Sequence, residues 1–342
     1  MKKPVVKADV STARPPRELA RRRFLRSSLA ATITAPLLCS LEEHALEMRA
    51  EPRGSTADEG GPPSPMPYGQ IGPVRISRLI CGGNLISGYA HSRDLIYVSS
   101  LLKHYFSEER IMRTWSLCEE HGINTMICYP EDKHAIAVYR QYMAQGGRIQ
   151  YLAQIAPRKD DLRTPVKQAV DAGAIGAFLV GNHGDEWTRD GSVGLIGELI
   201  GVIKEHKLIA GVAGHELRTP MAIERAAAAP DFYMKTLHST DYWSKQRPDQ
   251  NREVIENYGI DNYWCRDPEQ TVAFMRAVKR PWIAYKVLAA GAINPRQGLR
   301  HAFGHGADFA AVGMFDFQVA EDAQVACEVL SGALDRKRPW CA

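Results

Sequence analysis

The feature that most constrains the fold is an eightfold alternation of short apolar segments with helical segments along residues 68–342. The apolar segments are nearly continuous runs, as expected for parallel strands that are covered on both faces. The segments between them carry apolar residues at three- and four-residue spacing, which is typical of amphipathic helices. Eight strand–helix units predict a (β/α)8 or TIM barrel in preference to an open doubly wound sheet. The predicted strands are 76–81, 125–128, 151–155, 177–180, 209–213, 232–237, 283–288 and 309–312.

The chain before the barrel begins with a basic segment. Residues 21–26, Arg-Arg-Arg-Phe-Leu-Arg, match the twin-arginine export pattern, and an apolar run at 29–38 follows. That run is too short to span a bilayer, so it predicts the core of a signal peptide. A basic amphipathic helix is the alternative. We assign 1–41 to a twin-arginine signal peptide and expect a periplasmic or extracellular protein without a stable membrane anchor.

Composition narrows the remaining possibilities. Residues 42–67 are rich in Glu, Gly, Pro, Ser and Asp, which predicts a disordered linker before the barrel. The formal net charge of +4 arises partly in the first 26 residues, so the barrel is near neutral and no nucleic-acid partner is expected. The seven cysteines show no zinc-site spacing. A small-molecule substrate is the expected partner.

Candidate functional residues lie where the predicted strands end, because the C-terminal ends of barrel strands carry the chemistry of this fold. Three consecutive strands end close to His183, His215 and His238. One interpretation is a divalent metal held by His183, His238 and the Glu216 carboxylate, with an open coordination position. A second is general acid–base chemistry by His183 or Glu216 without a metal. The third is a structural or binding role.

Two connections, 84–107 and 239–266, are long enough to form lids over the catalytic face. The second carries Tyr242, Trp243, Tyr258, Tyr263 and Trp264. These aromatic rings would suit stacking on a sugar-like or planar ligand, or they pack the lid onto the barrel rim.

Lys286 lies inside the predicted seventh strand. If it faces the barrel, its amine is a candidate nucleophile or proton donor. The alternative is an outward side chain that extends between helices. Lys235 has the opposite strand parity to His238, so we expect it to face the helical layer.

Five segments carry a family resemblance. YGQIGPVRISRLICGGN is similar to the opening hairpin and first strand of the aldo-keto reductase superfamily. EEHGINTMICYP resembles the end of that family's second strand, and GVAGHELRTP resembles a fifth strand found in bacterial members. YKVLAAGAI and VGMFDFQVAED resemble its last two strands. The resemblance covers residues 68–330 and implies a (β/α)8 barrel with an N-terminal β-hairpin.

The resemblance also implies hydride transfer from NADPH by an aspartate, a tyrosine, a lysine and a histidine. Only the histidine has a match, at His183. The other positions hold, in order, Ile127, a residue near Asp132, and Gln154 or Ile155. Tyr129 is close in sequence to the tyrosine position, but the lysine that would act with it is missing.

The cofactor side of the resemblance is also incomplete. The helix after the eighth strand starts Phe315-Asp316-Phe317-Gln318, which is acidic, and Arg296 is the nearby cation for a 2′-phosphate. NADP(H)-dependent reduction is therefore disfavoured.

The sequence predicts an exported, aldo-keto-reductase-like barrel enzyme. We expect non-redox acid–base or metal-assisted chemistry, as in a lyase, isomerase or hydrolase, on a small polar, carbohydrate-like substrate. The alternatives are an NADP(H)-dependent oxidoreductase with an altered proton donor and a non-catalytic ligand-binding barrel. Candidate catalytic residues are His183, Glu216, Lys286 and Tyr129; candidate substrate-binding residues are Asn84, His215, Asp241, Trp243 and Trp264; candidate metal ligands are His183, Glu216 and His238.

Overall fold

The structure is a computed structural model that describes residues 65–89, 91, 95–246 and 264–342. The predicted signal peptide and nearly all of the predicted linker lie outside these ranges. In the parts of the chain that are described, no helix is both long and apolar enough to cross a membrane.

Eight parallel strands close into a barrel in the order β10-β3-β4-β5-β6-β7-β8-β9. The strands are β1 Tyr68–Ile71, β2 Val74–Ser77, β3 Leu79–Cys81, β4 Thr125–Cys128, β5 Gln150–Ile155, β6 Gly176–Leu179, β7 Ile209–Gly214, β8 Phe232–Thr236, β9 Trp282–Tyr285 and β10 Phe309–Val312. The helices are α1 Ile96–Tyr105, α2 Glu108–Glu120, α3 Lys133–Ala144, α4 Arg163–Asp171, α5 Gly181–Arg189, α6 Val193–Glu205, α7 Arg218–Arg225, α8 Pro268–Ala277, α9 Pro295–Gly304 and α10 Asp316–Ser331. The predicted (β/α)8 barrel is confirmed.

The predicted N-terminal hairpin is confirmed as well. Strands β1 and β2 pair antiparallel, with Tyr68 opposite Ser77. Ile71 and Ile76 of the hairpin are buried in the same apolar cluster as the interior barrel residues Leu152 and Phe178. The hairpin therefore fills the N-terminal end of the barrel.

Strand parity sorts side chains between the barrel interior and the helical layer. On β8, Phe232 and Met234 belong to the interior cluster, whereas Tyr233 belongs to the outer one. Lys235 alternates with Met234 and is 2% exposed, and its Nζ donates to the Thr236 carbonyl at 3.0 Å. This parity places Lys235 in the outer layer, in agreement with the sequence-based expectation.

The predicted seventh strand was too long. Strand β9 ends at Tyr285, three residues before the predicted end. Lys286 has a φ of 58°, and Ala289 and Ala290 also lie in the left-handed region, at 45° and 57°. Left-handed backbone is incompatible with a strand, so Lys286 begins the loop after β9.

An ionic network ties the C-terminal tail to the closed end of the barrel. Asp308 is fully buried, with its carboxylate oxygens 3.0 Å from Arg336 Nη2 and 2.6 Å from Arg338 Nη1. The backbone amides of Trp282 and Cys341 also donate to this carboxylate, each at 2.9 Å. Burial lowers the pKa of Arg336 to about 10.

A buried carboxyl on α10 gives a pH-dependent prediction. Asp322 is 5% exposed, and burial raises its pKa to about 7. The native protein keeps this proton up to about pH 7, whereas the unfolded chain loses it near the ordinary pKa of 3.8. The contribution of Asp322 to the free energy of unfolding is therefore full at low pH, and it is lost as pH rises through 7. We expect Asp322→Asn to raise the free energy of unfolding by on the order of 1–3 kcal/mol at pH 8 and to have no such effect at pH 4. Urea unfolding at both pH values measures this; the exposed Asp335→Asn is the control, and an equal effect at both pH values would contradict the assignment.

Candidate active site at the barrel mouth

A buried carboxylate–imidazole pair lies at the C-terminal end of β7. Asp185 of α5 is 2% exposed, and its Oδ2 lies 2.8 Å from His215 Nδ1. The same carboxylate accepts hydrogen bonds from the backbone amides of His215 and Glu216 and from the Thr219 hydroxyl. Because Asp185 only accepts hydrogen bonds, His215 Nδ1 carries the hydrogen and Nε2 presents a lone pair.

The surroundings keep this imidazole neutral. Burial lowers the pKa of His215, the hydrogen bond to Asp185 opposes that effect, and the positive charge of Lys286 adds to the lowering. His215 follows Ala213 of the interior cluster at the same strand parity, so its ring lies over the barrel mouth. Among the described residues nothing forms a hydrogen bond to Nε2. The atom is therefore available as a proton acceptor.

Tyr285 packs beside this pair. Its ring centroid lies 5.4 Å from that of His215, and burial raises its pKa, so the phenol stays protonated. Its hydroxyl is closed off from solvent, and the buried Thr236 hydroxyl lies beside it. A Cβ at Gly181 would lie 2.5 Å from Tyr285 Oη and 2.8 Å from His215 Cε1. Only glycine lets α5 start this close to both rings.

A second tyrosine hydroxyl comes from the end of β4. Gln154 Nε2 donates to Tyr129 Oη at 2.5 Å. Gln154 has the same strand parity as Leu152 of the interior cluster, so it faces the mouth. Burial is the main cause of the raised pKa of Tyr285, and the charge of Tyr129 adds to it.

Lys286 joins two loops across the mouth. Its Nζ lies 3.0 Å from His91 Nδ1, and Asn84 Nδ2 lies 3.3 Å from His91 Nε2. The same Nζ is 5.5 Å from the centroid of the Tyr285 ring. Each of four predicted site residues thus has a neighbour in or around the mouth. Asn84 and Lys286 contact His91, Tyr129 contacts Gln154, and His215 contacts Asp185 and Tyr285.

The structure does not bring the three predicted metal ligands, His183, Glu216 and His238, together as one group. Among the described residues, no three His, Cys, Asp or Glu side chains come together as a metal-binding group. His238 uses both ring nitrogens: Nδ1 lies 2.8 Å from the Ser239 carbonyl, and Nε2 accepts from the Cys265 amide at 2.8 Å. Glu216 is 7% exposed and forms an ion pair with Arg218. Both side chains therefore have partners within the protein.

His183 occupies a different environment from the one its sequence position suggested. Strand β6 ends at Leu179 and α5 begins at Gly181, so His183 lies in the first turn of a helix. Its ring stacks on Trp187 at a centroid distance of 5.9 Å. Burial lowers its pKa, and its Nδ1 is buried without a hydrogen-bond partner among the described residues.

In the aromatic loop after β8, some described side chains pack on the barrel and others are exposed to solvent. Trp264 and Tyr242 pack on the small apolar cluster of Ala289 and Ile293. Trp243 is 89% exposed, and Asp241 is also exposed. Tyr258 and Tyr263 lie outside the described residues. Trp243 is thus the described ring of this loop that remains accessible, whereas Trp264 holds the loop against the barrel.

The residues present do not fit the NADPH that an aldo-keto reductase fold implies. Asp316, in the first turn of α10, is 4% exposed and lies 2.6 Å from Arg110. A buried carboxylate at this helix start disfavours a 2′-phosphate there. Arg296, the cation available from the sequence, forms an ion pair with Glu328. Ile127, at the family's aspartate position, is a buried interior residue, and Asp132 caps α3.

The protein has the fold of the aldo-keto reductases: a closed parallel barrel with an antiparallel hairpin at one end. In particular, it is similar to two solved structures from Pseudomonas aeruginosa, each given a provisional description as an aldo-keto reductase. The first is 15% identical, with 78% of this chain and 94% of that chain covered at a TM-score of 0.53. The second is 14% identical, with 77% and 96% covered at the same TM-score. No family model and no curated protein matches the sequence.

The Tyr129–Gln154 contact leads to a specific prediction. Gln154→Leu preserves side-chain size but removes the amide that orients the phenol, so we expect kcat for turnover at this site to fall about tenfold or more, with little change in KM. Gln150→Leu is the matched control, since Gln150 lies on the same strand at the opposite end and contacts the Arg75 carbonyl of the hairpin. Equal kinetics for the two variants would remove Tyr129 from the catalytic set.

Proposed function

We propose that this protein catalyses proton transfer on a small polar substrate in which a carbonyl lies next to a hydroxyl-bearing carbon. The observation that carries the proposal is the Asp185–His215 pair: a neutral imidazole, held by a buried carboxylate, with Nε2 directed to a barrel mouth. This arrangement is that of a general base. Isomerisation is the simplest reaction that it supports.

The proton balance can be followed atom by atom. His215 Nε2 takes the proton from the carbon beside the carbonyl, and the electron pair moves onto the carbonyl oxygen. The Tyr129 hydroxyl, which accepts from Gln154 and keeps its own hydrogen to donate, gives that oxygen its hydrogen. The imidazolium returns its proton to the former carbonyl carbon, and the tyrosine regains a hydrogen from the neighbouring hydroxyl. No electrons enter or leave, so the step needs no redox partner.

The substrate class rests on the loops. The exposed Trp243 ring and the hydrogen-bonding side chains of Asn84 and His91 favour a hydroxylated, carbohydrate-like ligand over an apolar one. Tyrosine and amide groups around a neutral base also suit a substrate with several hydroxyls.

Solvent deuterium incorporation tests the proposal, because it detects proton transfer whatever product is formed. The full chain is incubated in D2O with dihydroxyacetone, glyceraldehyde, xylulose and glucose, and exchange at the carbon next to the carbonyl is followed by NMR. We expect at least one compound to exchange with the wild type and exchange to be lost in His215→Gln. His206→Gln, at an exposed histidine after α6, is the control and should behave as wild type.

Two outcomes would overturn the proposal. One is exchange that His215→Gln leaves unchanged. The other is absence of exchange together with NADPH-dependent carbonyl reduction that survives His215→Gln, which would favour the oxidoreductase alternative. Ligand binding without any turnover would favour a non-catalytic barrel.

We also propose export through the twin-arginine pathway, on the strength of the Arg21-Arg22 pair and the apolar run after it. Replacing Arg21 and Arg22 with lysine keeps the charge but removes the paired arginines of the export pattern. In a bacterium with this pathway, we expect the variant to accumulate as cytoplasmic precursor and the wild type to appear in the periplasm. Equal periplasmic amounts of both proteins on immunoblots would contradict export by this route.

A further inference from the structure

We propose that the mouth of the barrel has a further activity, the covalent capture of small aldehydes and ketones. The amine of Lys286 attacks the carbonyl carbon and forms an iminium, and His91 is the base that takes the proton of the amine. Lys286 is a candidate nucleophile from the sequence, and the proton transfer proposed for His215 does not use it. The two activities are separate, because in that proton transfer the carbonyl keeps its oxygen.

Lys286 places an amine beside the rings of the mouth. Its Nζ lies 5.5 Å from the centroid of the Tyr285 ring. The His215 ring packs on the same tyrosine, at a centroid distance of 5.4 Å. The Lys286 side chain is only partly buried, so a small molecule can reach it. Lys235, by contrast, is buried in the outer layer, where its amine donates to the Thr236 carbonyl.

The backbone of Lys286 is strained without the usual reason. Its φ is 58°, and it directly follows strand β9. Lys207 and Ala227 also have positive φ, at 60° and 51°, but each is the second residue after a helix. Left-handed backbone at that position is an ordinary way for a helix to end. Strained backbone elsewhere collects at active sites, where it fixes the direction of a side chain, so it supports a functional role for Lys286.

His91 is the proton acceptor that a lysine nucleophile needs. A lysine attacks a carbonyl as the neutral amine, after the ammonium has lost a proton. Lys286 Nζ lies 3.0 Å from His91 Nδ1 and 3.3 Å from Nε2, and the His91 side chain is partly buried. An imidazole titrates near neutral pH, so it can take this proton and return it later. A carboxylate in its place would favour the ammonium and keep the amine charged.

The atoms balance without a co-reactant. His91 takes one proton from the ammonium, and the electron pair of the amine forms the bond to the carbonyl carbon. The π electrons of the carbonyl move to its oxygen, which receives the proton from His91. The nitrogen then loses a second proton by the same route, and the hydroxyl leaves with that proton as water. The product is an iminium with one hydrogen on nitrogen; no electrons enter or leave, and water reverses the step.

Reductive trapping of the full chain tests the proposal, because cyanoborohydride converts an iminium into a stable secondary amine. The protein is incubated with cyanoborohydride and either dihydroxyacetone or glyceraldehyde, and the modified lysines are mapped by mass spectrometry. We expect Lys286 to be labelled about 100-fold faster than the exposed Lys207, since a neighbouring base assists it. Equal labelling rates at Lys286 and Lys207 would overturn the proposal. The map is read on the unaltered chain, so this result does not depend on the folding of a variant.

Variants assign the roles of the two side chains. His91→Gln keeps a polar side chain but removes the base, so we expect labelling of Lys286 to slow by about 100-fold. Lys286→Met should lose the label at this position. Lys207→Met is the matched control, since it removes a lysine that also has left-handed backbone, and labelling of Lys286 should stay as in the wild type. If His91→Gln labels as fast as the wild type, His91 is not the base.

This proposal and the proposed function fail separately. Deuterium exchange that depends on His215, without faster labelling of Lys286, leaves the proton transfer standing and removes the iminium. Faster labelling of Lys286 without exchange into any compound keeps the iminium and removes the proton transfer.

Discussion

Asp308→Asn is expected to lower the free energy of unfolding by about 3–5 kcal/mol, because it leaves buried guanidinium groups without their carboxylate. Arg338 is 2% exposed and Arg336 Nη2 lies 3.0 Å from Asp308, so neither charge gains much solvation when the carboxylate is lost. The substitution also weakens the acceptors for the backbone amides of Trp282 and Cys341. Urea unfolding at pH 7, followed by circular dichroism, measures the change.

Asp160→Asn is the matched control for this result. Asp160 also pairs with an arginine, Arg158, but both side chains are largely exposed, at 68% and 80%. Exposed ion pairs contribute little to stability because water screens them, so the control should unfold nearly as wild type. A loss below about 1 kcal/mol for Asp308→Asn would mean that water reaches the two arginines and that the tail is not held by this network.

Asp185→Asn is expected to reduce turnover by about 10³–10⁴-fold, by analogy with the loss of the orienting aspartate in catalytic triads. Asparagine can donate to Nδ1 and so favours the tautomer in which Nε2 carries the hydrogen and cannot accept a proton. The deuterium-exchange rate gives the loss, and the 15N shifts of His215 show which nitrogen carries the hydrogen. The second readout separates a positioning role from a general loss of structure.

Asp190→Asn is the control on the same helix. Asp190 is the C-cap residue of α5 and is 39% exposed, with Lys159 as its partner. It should leave both readouts unchanged. If Asp185→Asn keeps the wild-type tautomer and rate, Asp185 serves only to anchor the loop after β7.

The fold could be predicted from the sequence because each strand and helix has its own local pattern of apolar residues. Continuous apolar runs and helical spacing repeat within each unit, and the hairpin follows from a short turn between two strands. The end of β9 was misplaced for the same reason: left-handed backbone usually occurs at glycine, and Lys286, Ala289 and Ala290 carry no such signal.

The site was predicted only in part, because its contacts join distant segments. The strand ends identified Tyr129, His215 and Lys286 as polar groups at one rim. They could not show that Asp185 pairs with His215 across 30 residues, or that the lone pair of His238 is taken by the Cys265 amide across 27. One signal could have directed attention to Asp185: its place in the helix that starts directly after β6, facing the end of β7.

The loop after β9 makes the mouth of the barrel locally less stable than the opposite end. Three non-glycine residues between 286 and 290 are held in left-handed backbone, at roughly 1–3 kcal/mol each. At the opposite end, the buried arginines that pair with Asp308 and the hairpin that fills the barrel stabilise the closed structure. Thermal fluctuations should therefore begin at the mouth, where release of the Lys286–His91 contact lets this loop relax. Entry of a ligand and local unfolding would then share a first step, and amide hydrogen exchange would be fastest at the proposed active site.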